Sequence, residues 1–310
     1  MNKEVYRRKV ELLLRILPII SEYECFAMHG GTAINLFLKN LPRYSVDIDL
    51  TYVPIEGREQ SISNINAALS AISYRVKRAV KGINIVPVLK TCKLLCEYGG
   101  CQVKIEVNQT KRGIVGGDIQ IRSLCEKAQD EFGMYCEARI VPTSLLYGGK
   151  IAAALSRQHP RDLFDVKYKD VGLEETKEGL MFCLLGSDRP ICESFKPNLI
   201  DQKEAMEKQF DGMTDILFSY EDFENTRNKL IADVNQLLTE SDKRFLISFE
   251  EGTPTWEESD YAHFEKFPSI QWKLLNLLKL KKGDPDKMKE YVDKLRNIFN
   301  YCCPVNLKIA

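Results

Sequence analysis

Histidine is scarce in this chain of 310 residues, which has only three, and they lie far apart at positions 29, 159 and 263. The ten cysteines are scattered and include no CxxC pair. A zinc site built from Cys and His is therefore not indicated, and no disulfide framework is evident. Most of the cysteines are expected to be small buried residues in a reducing compartment.

Net charge and long apolar runs are missing as well. Lys+Arg and Asp+Glu number 44 each, so binding to a polyanion would have to come from a local patch. No run approaches the roughly 18 apolar residues of a membrane span. The N-terminal stretch resembles an amphipathic helix and not a signal peptide. These absences predict a cytoplasmic protein without membrane attachment.

The length favours two domains, since single cores stop growing near about 250–300 residues. Mixed strand and helix patterns extend to residue 142, and nearly all later patterns are helical. The expected fold class is α+β. An N-terminal domain (residues 1–142) would contain the sheet, and a C-terminal domain (residues 143–310) would be all helical.

The periodicity of apolar residues places the individual elements. In the first domain it predicts helices at 3–20, 32–39 and 59–78, strands at 25–28, 46–53 and 101–108, and one or two further strands from residue 83 to a turn at Gly99-Gly100. Residues 118–142 are ambiguous between strand and helix. In the second domain it predicts helices near 144–157, 161–170, 174–185, 201–210, 221–239, 269–281 and 285–300, with an acidic loop at 250–260.

Two aspartates on one strand carry the strongest chemical signal. Asp47 and Asp49 lie on one face of the predicted strand, opposite Ile48 and Leu50. Carboxylates at i and i+2 are only about 7 Å apart along a strand. Like charges this close repel each other unless a cation lies between them. The pair therefore indicates a divalent metal, and the alternative is a solvated strand face.

A Gly-Gly pair precedes these aspartates by about fifteen residues. Gly30 and Gly31 end one strand and open a helix, where backbone N–H groups can approach a phosphate. Taken alone, the pair favours a tight turn; with the aspartates in register, phosphate binding is the better interpretation. Ser45 would add a hydroxyl donor on the same strand face. Arg43 either holds the turn or meets a triphosphate.

A third carboxylate lies on the last strand of the sheet region. Glu106 alternates with Val107 and Ile105, on the wet face where a third oxygen ligand is needed. Three carboxylates with phosphate oxygens and water would complete two Mg²⁺ sites. The alternative is that Lys104 and Glu106 form the exposed face of an edge strand.

Residues 148–165 form a second polar cluster that spans two predicted helices. Lys150 and Arg157 share one helical face with small residues, and this face fits phosphate binding and a tight helix contact equally well. The next helix begins with Arg161 and Asp162, followed by Asp165. Arg157 and Arg161 either bind nucleotide or anchor the two aspartates in a structural network.

Together the two clusters resemble the AbiEii/AbiGii-type toxins of the nucleotidyltransferase superfamily, which has the DNA-polymerase-β-like minimal fold. The first signature is a G-G-T-A pattern followed by R-x-S-x-D-I-D-L, here at Gly30, Gly31, Thr32, Ala33, Arg43, Ser45, Asp47, Ile48, Asp49 and Leu50. The second matches Lys150, Ala153, Arg157, Arg161, Asp162 and Asp165. Glu106 matches the third carboxylate, and the resemblance covers roughly residues 25–170.

The resemblance implies a mixed sheet flanked by helices and a metal-dependent transfer of a nucleotidyl group from an NTP. It also implies an RNA acceptor such as tRNA and a toxin role in a toxin–antitoxin or abortive-infection system, with a cognate antitoxin. The metal, Mg²⁺ or Mn²⁺, would be held by Asp47, Asp49 and Glu106, which with Lys150 form the catalytic set. The implied nucleotide-binding residues are Gly30, Gly31, Thr32, Arg43, Ser45, Lys150, Arg157, Arg161 and Asp162.

Gly31 motivates an alternative, because many active members of the superfamily have serine at that position. The alternative is a non-catalytic nucleotide- or RNA-binding protein of the same fold. His29 is expected to pack in its strand and not to act as a base. Phe264, Phe267 and Trp272 are expected in the core, with stacking platforms for bases as the alternative. The lysines from Lys273 to Lys294 are expected on a solvated helix face, with contact to an RNA backbone as the alternative.

Overall fold

The computed structural model describes residues 3–300, so Cys302 and Cys303 lie outside the described residues. The strands are β1 (Phe26–His29), β2 (Asp47–Tyr52), β3 (Asn84–Val88), β4 (Lys93–Tyr98), β5 (Cys101–Val107), β6 (Gln120–Ser123) and β7 (Glu137–Ile140). The helices are α1 (Lys3–Ser21), α2 (Gly30–Ala33), α3 (Arg58–Ala79), α4 (Glu126–Phe132), α5 (Thr143–Arg157), α6 (Pro160–Lys167), α7 (Lys177–Leu185), α8 (Cys192–Phe195), α9 (Lys203–Ala205), α10 (Tyr220–Leu237), α11 (Glu240–Glu250), α12 (Pro268–Gly283) and α13 (Pro285–Ile298).

The seven strands form one mixed sheet in the order β3-β4-β5-β2-β1-β7-β6. Strand β2 runs parallel to β5 and antiparallel to β1, and β1 runs parallel to β7. Between residue 141 and residue 300 the structure contains helices and loops only. The predicted α+β fold class is therefore confirmed. The predicted domain boundary at 142/143 falls between β7 and α5 and stays a prediction.

The centre of the sheet carries the predicted carboxylates. Ile48 and Ile105 are fully buried on the inner face of β2 and β5, so Asp49 and Glu106 lie on the opposite face. The parallel register pairs Asp49 with Glu106. Adjacent strands are about 4.8 Å apart, so this register brings the two backbone positions together.

Helix α1 is amphipathic, as the sequence pattern predicts. It buries Val10, Leu13 and Ile16. Burial of apolar side chains of this size stabilises a fold by roughly 1.5–3 kcal/mol each, so this one face holds α1 firmly on the core. Among residues 3–300, no helix is long and apolar enough to cross a membrane.

The small-residue face of α5 makes a tight helix contact. A Cβ added at Gly148 would lie 2.2 Å from the backbone nitrogen of Leu180, and one at Gly179 would lie 2.1 Å from the carbonyl oxygen of Ser144. Backbone thus meets backbone where α5 crosses α7. For this face the sequence was compatible with phosphate binding and with a tight helix contact. In the structure Gly148 makes the helix contact.

The C-terminal part contains two helices that were not predicted, the short α8 and the longer α11. A single helix was expected at 221–239, followed by an acidic loop at 250–260, whereas the structure adds α11 between them. The Thr239 hydroxyl accepts a hydrogen bond from the Asp242 N–H, and the Asp242 carboxylate accepts one from the Thr239 N–H. This capping box starts a new helix, and its T-x-x-D pattern is visible in the sequence.

The α5–α7 crossing yields a stability prediction. Gly179→Ala is expected to destabilise the protein by on the order of 2–3 kcal/mol, because the added methyl group must push two helix backbones apart. The measurement is the free energy of unfolding in denaturant. Gly283→Ala is the control, since its added Cβ meets nothing within 4 Å. Equal effects of the two substitutions would contradict the tight crossing.

Candidate active site

A cleft of about 650 Å³ lies over the polar face of β2 and β5. It is lined by the glycine turn after β1, by α5 and the start of α6, and by residues from the ends of α7 and from α12. Small-molecule sites typically measure about 300–1,000 Å³. The cleft therefore has the size of a site for one nucleotide-sized ligand.

Asp47 and Asp49 both line this cleft. Within residues 3–300, neither carboxylate has an ion-pair or hydrogen-bond partner. Burial raises the pKa of Asp49, and the negative charge of Asp47 raises it further. Lys104 and Lys150 only partly offset these effects. The pair thus carries uncompensated negative charge, the condition that a divalent cation relieves.

Side chains of the β2 region pack so closely against Gly30 and Gly31 that they leave no room for a Cβ at either position. Gly30 has φ +78°, and a Cβ there would lie 2.5 Å from Oδ2 of Asp49. A Cβ at Gly31 would lie 2.6 Å from Nη2 of Arg43 and 2.9 Å from Oγ of Ser45. A serine at position 31 would therefore collide with Arg43. The hydroxyl of Ser45 already lies beside the place where that serine would begin.

Thr32 lies behind the glycine turn and does not line the cleft. Its buried hydroxyl donates to the backbone carbonyl of Asp47 and lies 3.1 Å from Oγ of Ser45. Thr32 thus joins the helix that follows β1 to the first residue of β2. Its contacts position Asp47 and do not place Thr32 against a ligand.

Glu106 lines the cleft but is held by two lysines. Its carboxylate oxygens lie 2.9 Å from Nζ of Lys93 and 2.7 Å from Nζ of Lys104. Burial opposes ionisation of Glu106, but the two lysines outweigh it and hold its pKa below the usual range. The edge-strand alternative is wrong, because β5 lies between β4 and β2.

The carboxylates of the cleft meet some of the requirements of a divalent metal site. In the part of the chain that the structure describes, no three His, Cys, Asp or Glu side chains are grouped as a metal site. The carboxylates of Asp47 and Asp49 fit Mg²⁺ or Mn²⁺ by charge and donor type. Glu106 lies in register beside them but is neutralised by Lys93 and Lys104.

A buried ion network connects the strand region to α5 and α6. Arg43 donates two hydrogen bonds to Asp165, at 2.7 and 2.5 Å. Nζ of Lys150 lies 2.9 Å from Oδ1 of Asp162 and 3.0 Å from Oδ2 of Asp165. Arg157 donates to Asp162 from the more exposed side. Burial disfavours both carboxylate charges, but these cations outweigh it and hold the pKa of each aspartate low.

The network shows which contacts are made by the residues for which the sequence left ligand binding and a structural role open. Both Arg43 and Arg157 line the cleft. Arg157 holds Asp162, in line with its structural alternative, and Arg43 donates to the carbonyl of Tyr44 in the turn before Ser45 as well as to Asp165. Lys150 lines the cleft but is already shared by two carboxylates. Asp162 is 1% exposed and fully occupied as an acceptor of these cations.

Two cations of the cleft have no anionic partner within residues 3–300. Arg161, at the start of α6, lines the cleft and is half-buried. Burial lowers its pKa first and the charge of Arg43 lowers it further, while Asp162 and Asp47 attract it. Lys111, on the loop after β5, is the second. Sequence reasoning missed Lys111, because a lysine in an irregular loop belongs to no periodic pattern.

His29 lines the cleft at the end of β1. Burial lowers its pKa to about 3, assisted by the charges of Lys111 and Lys150. Its buried Nδ1 has no hydrogen-bond partner in the described chain. The imidazole is therefore neutral at physiological pH and too weakly basic to be the general base, in line with its predicted packing role.

Three aromatic residues predicted in the core divide into two groups. Phe264 and Phe267 are buried, as predicted. Trp272 is 47% exposed and lines the cleft, so the prediction was wrong for this residue. The inward face of α12 is taken by Ile270, Lys273 and Leu277.

Lys273 was predicted on a solvated helix face, and this prediction was wrong. The side chain is buried, and its Nζ donates a hydrogen bond to the carbonyl of Arg189.

The fold and the cleft define a nucleotidyltransferase-type protein, and comparison with known proteins agrees. The family described as "Nucleotidyl transferase AbiEii toxin, Type IV TA system" matches residues 11–169, which is just over half of the chain. The chain belongs to this family of nucleotidyl transferase toxins of type IV toxin–antitoxin systems. The resemblance inferred from the two signatures is thereby confirmed.

One solved structure with the same fold is MenT4, a nucleotidyltransferase toxin from Mycobacterium tuberculosis H37Rv. The similarity has a TM-score of 0.58 at 12% sequence identity, and it covers 89% of this chain and 99% of that one. At this identity the comparison supports the fold. No protein of curated function matches the sequence significantly.

The ion network yields a prediction for stability. Arg43→Met is expected to reduce the free energy of unfolding by about 3–5 kcal/mol at pH 7, because Asp165 loses its bidentate partner while it stays buried. The measurement is equilibrium denaturation. Arg75→Met is the control, since it breaks an exposed pair with Glu22 and a surface cation–π contact with Tyr23, and should change stability much less.

The same variant has an expected pH dependence. The folded pKa values of Asp162 and Asp165 lie below the unfolded value of about 3.9, so their stabilisation is complete above that pH and is lost as the pH falls below it. In Arg43→Met the pKa of Asp165 should rise, and acid unfolding should occur at higher pH than in the wild type. Superimposable acid-unfolding curves would show that the network adds no stability.

Proposed function

We propose that the protein is a metal-dependent nucleotidyltransferase that moves a nucleotidyl group from an NTP to an RNA acceptor such as tRNA. The observation that carries the proposal is the charge separation within one cleft. The carboxylates of Asp47 and Asp49 share the cleft with Arg161 and Lys111, and none of these four has an ion-pair partner among residues 3–300. A metal–triphosphate complex carries the complementary charges to both sets.

The glycine turn and Ser45 would hold the phosphate groups. Gly30 and Gly31 begin α2 with no side chain between their backbone and the cleft, so N–H groups can approach an anion closely. Helix α2 continues without a break as a π-helix from Ile34 to Leu38, so the first N–H groups of this helical segment would make the contact. Ser45 adds its hydroxyl from the same side.

Mg²⁺ or Mn²⁺ would be held by Asp47 and Asp49, with Glu106 as the third carboxylate once its lysine partners move aside. Such an ion, when bound, neutralises charge that develops on the phosphate oxygens. The protein contributes two preplaced carboxylates, and their mutual repulsion in the free site favours uptake of a cation.

The bonding changes balance without further reactants. An acceptor hydroxyl oxygen forms a bond to the α-phosphorus, and the bond from the α-phosphorus to the β-phosphate oxygen breaks. Pyrophosphate leaves with that electron pair, and the hydroxyl proton passes to water. The side chains of the site need only align the two groups and balance their charge.

The residues that we assign to neutralise the triphosphate differ from the one that the family resemblance implied. Lys150 was expected to neutralise it, but Lys150 is shared by Asp162 and Asp165. Arg161 and Lys111 have no competing anion in the described chain. We assign the triphosphate mainly to these two cations, and assign to Lys150, Arg43, Arg157 and Asp162 the role of holding Arg161 and the glycine turn in place.

The biological role follows from the family. A toxin of a type IV toxin–antitoxin system implies a cognate antitoxin, and RNA modification would be its toxic activity. The helical part beginning at residue 143 completes the nucleotide cleft through α5, α6 and α12. We propose that this part also selects the acceptor.

The carboxylate pair gives the direct test of catalysis. Asp47→Asn and Asp49→Asn should each reduce transfer of label from α-labelled NTP to bulk tRNA by about 10²–10³-fold or more, because each removes charge needed at the phosphates. Asp130→Asn, at an exposed site on α4, is the control and should leave transfer unchanged. Full transfer by either site variant would disprove the assignment.

Arg161 tests the assignment of the triphosphate. Arg161→Ala should weaken binding of NTP and of inorganic tripolyphosphate by about 10–100-fold, since it removes a charged hydrogen-bond donor. It should leave the free energy of unfolding nearly intact, because Arg161 holds no other side chain. The matched control is Lys150→Met, which should mainly destabilise the fold. The reverse pattern would return the triphosphate to Lys150.

A second candidate is a non-catalytic nucleotide-binding protein of the same fold. The ion pairs of Glu106 with Lys93 and Lys104 favour it, because they occupy the third carboxylate. This candidate predicts NTP binding without transfer of label to any RNA. Clean transfer by the wild type excludes it.

A further inference from the structure

We infer that Trp272 is the stacking platform for the base of the bound NTP. The inference rests on the proposed nucleotide site and extends it to a residue that no signature of the family covers, since the family match ends at residue 169. Trp272 belongs to α12, far along the chain, yet it lines the same cleft as Asp47 and Arg161.

Trp272 is one of three exposed large apolar residues on α12, with Leu275 and Leu278, and of these three it is the one that lines the cleft. The aromatic side chains just before it, Phe264 and Phe267, are 0% and 3% exposed, whereas Trp272 is 47% exposed. Its position on a polar cleft, and not on an open surface, means that a ligand can cover the indole. An indole in such a place offers a flat apolar face to a base, and every nucleobase has a matching π-face.

The platform is held rigidly from the helical side. A Cβ added at Gly186 would lie 2.7 Å from Oγ of Ser269, so the end of α7 packs closely on the first turn of α12. Ser269 precedes Trp272 by three residues, on the neighbouring turn of the helix. This contact fixes the first turn of α12 against the end of α7.

The platform is also held from the strand side. A Cβ at Gly113 would lie 2.6 Å from the ring of Phe267 and 3.0 Å from Ile55, so the loop after β5 fits closely against the residue that caps α12. The N–H of Gly113 donates to the carbonyl of Tyr52, which ends β2. The start of α12, the helix that carries Trp272, is thus held against both walls of the cleft.

Charge beside the indole fits a nucleotide. The guanidinium of Arg58 lies over the Trp272 ring, 5.8 Å from its centroid. Within residues 3–300, Arg58 has no carboxylate partner, and Lys111 of the same cleft has none either. A base stacked on Trp272 would place its ribose and phosphates in the part of the cleft that carries Lys111 and Arg161.

The base is assigned to the donor and not to the acceptor because of the cleft volume. One void of about 650 Å³ contains both the phosphate-binding groups and Trp272. That volume suits a single small ligand. An NTP has a base at one end and phosphates at the other, so one molecule satisfies both.

The test uses ligands with and without a base. Trp272→Ala should weaken NTP binding by about 5–100-fold, the range for loss of one base–aromatic stack. It should leave binding of tripolyphosphate, which has no base, unchanged. Trp272→Tyr should restore most of the affinity. Leu275→Ala is the matched control, because Leu275 is 52% exposed on the next turn of α12 but does not line the cleft.

A fluorescence readout reports the stack itself. Trp256 is the only other tryptophan, so Trp256→Phe leaves Trp272 as the sole indole. NTP should quench this protein and tripolyphosphate should not. The reciprocal variant, Trp272→Phe, retains only Trp256 and should show no quenching beyond absorption by the nucleotide.

The outcomes separate the inference from the proposed function. Equal NTP affinity in wild type and Trp272→Ala, with no quenching, overturns the stacking role while the nucleotide site stands. Quenching by single-stranded RNA but not by NTP overturns the assignment to the donor base. If the wild type binds neither NTP nor tripolyphosphate, both the proposed function and the inference are overturned.

Discussion

The buried pairing of Arg43 and Lys150 with Asp165 and Asp162 is the interaction on which the rest of the structure depends. Four charges removed from water are stable only when each is closely matched. The matching joins the segment before β2 to α5 and α6, and so fixes the glycine turn against the helices that close the cleft. Because these charges neutralise one another, the cleft charges that have no ion-pair partner among residues 3–300 are the anions Asp47, Asp49 and Asp188 and the cations Arg161 and Lys111.

Much of this arrangement was predictable from the sequence, because it follows from local periodicity. The alternation around Asp47 and Asp49 fixed their shared face, and two signatures placed Lys150 and Arg161 in the same region of the fold. The partners of each charge were not predictable. Whether Lys150 meets a ligand or Asp162 depends on a helix crossing at Gly148 and Gly179, and packing of that kind has no local signal.

The differences at Trp272 and Lys111 also come from tertiary packing, whereas the one at α11 does not. Trp272 belongs to an apolar run typical of core, and only the rotation of α12, set by Ile270 and Leu277, turns the indole toward the cleft. Helix α11 was missed although its capping box is legible. Lys111 could not be found at all from the sequence, because its position depends on a loop folded against β2. Nucleotide recognition thus combines residues with a strong pattern and residues that only the tertiary structure brings together.

We propose that the aspartate pair and the cations Arg161 and Lys111 form one site for a metal–nucleotide complex. The most direct test is the binding of Mn²⁺, followed by its paramagnetic resonance signal, with and without a non-hydrolysable NTP. The account predicts that nucleotide tightens Mn²⁺ binding, that Mn²⁺ tightens nucleotide binding by the same factor, and that Asp49→Asn removes this coupling. Independent binding of metal and nucleotide, or coupling that persists in Asp49→Asn, would contradict it.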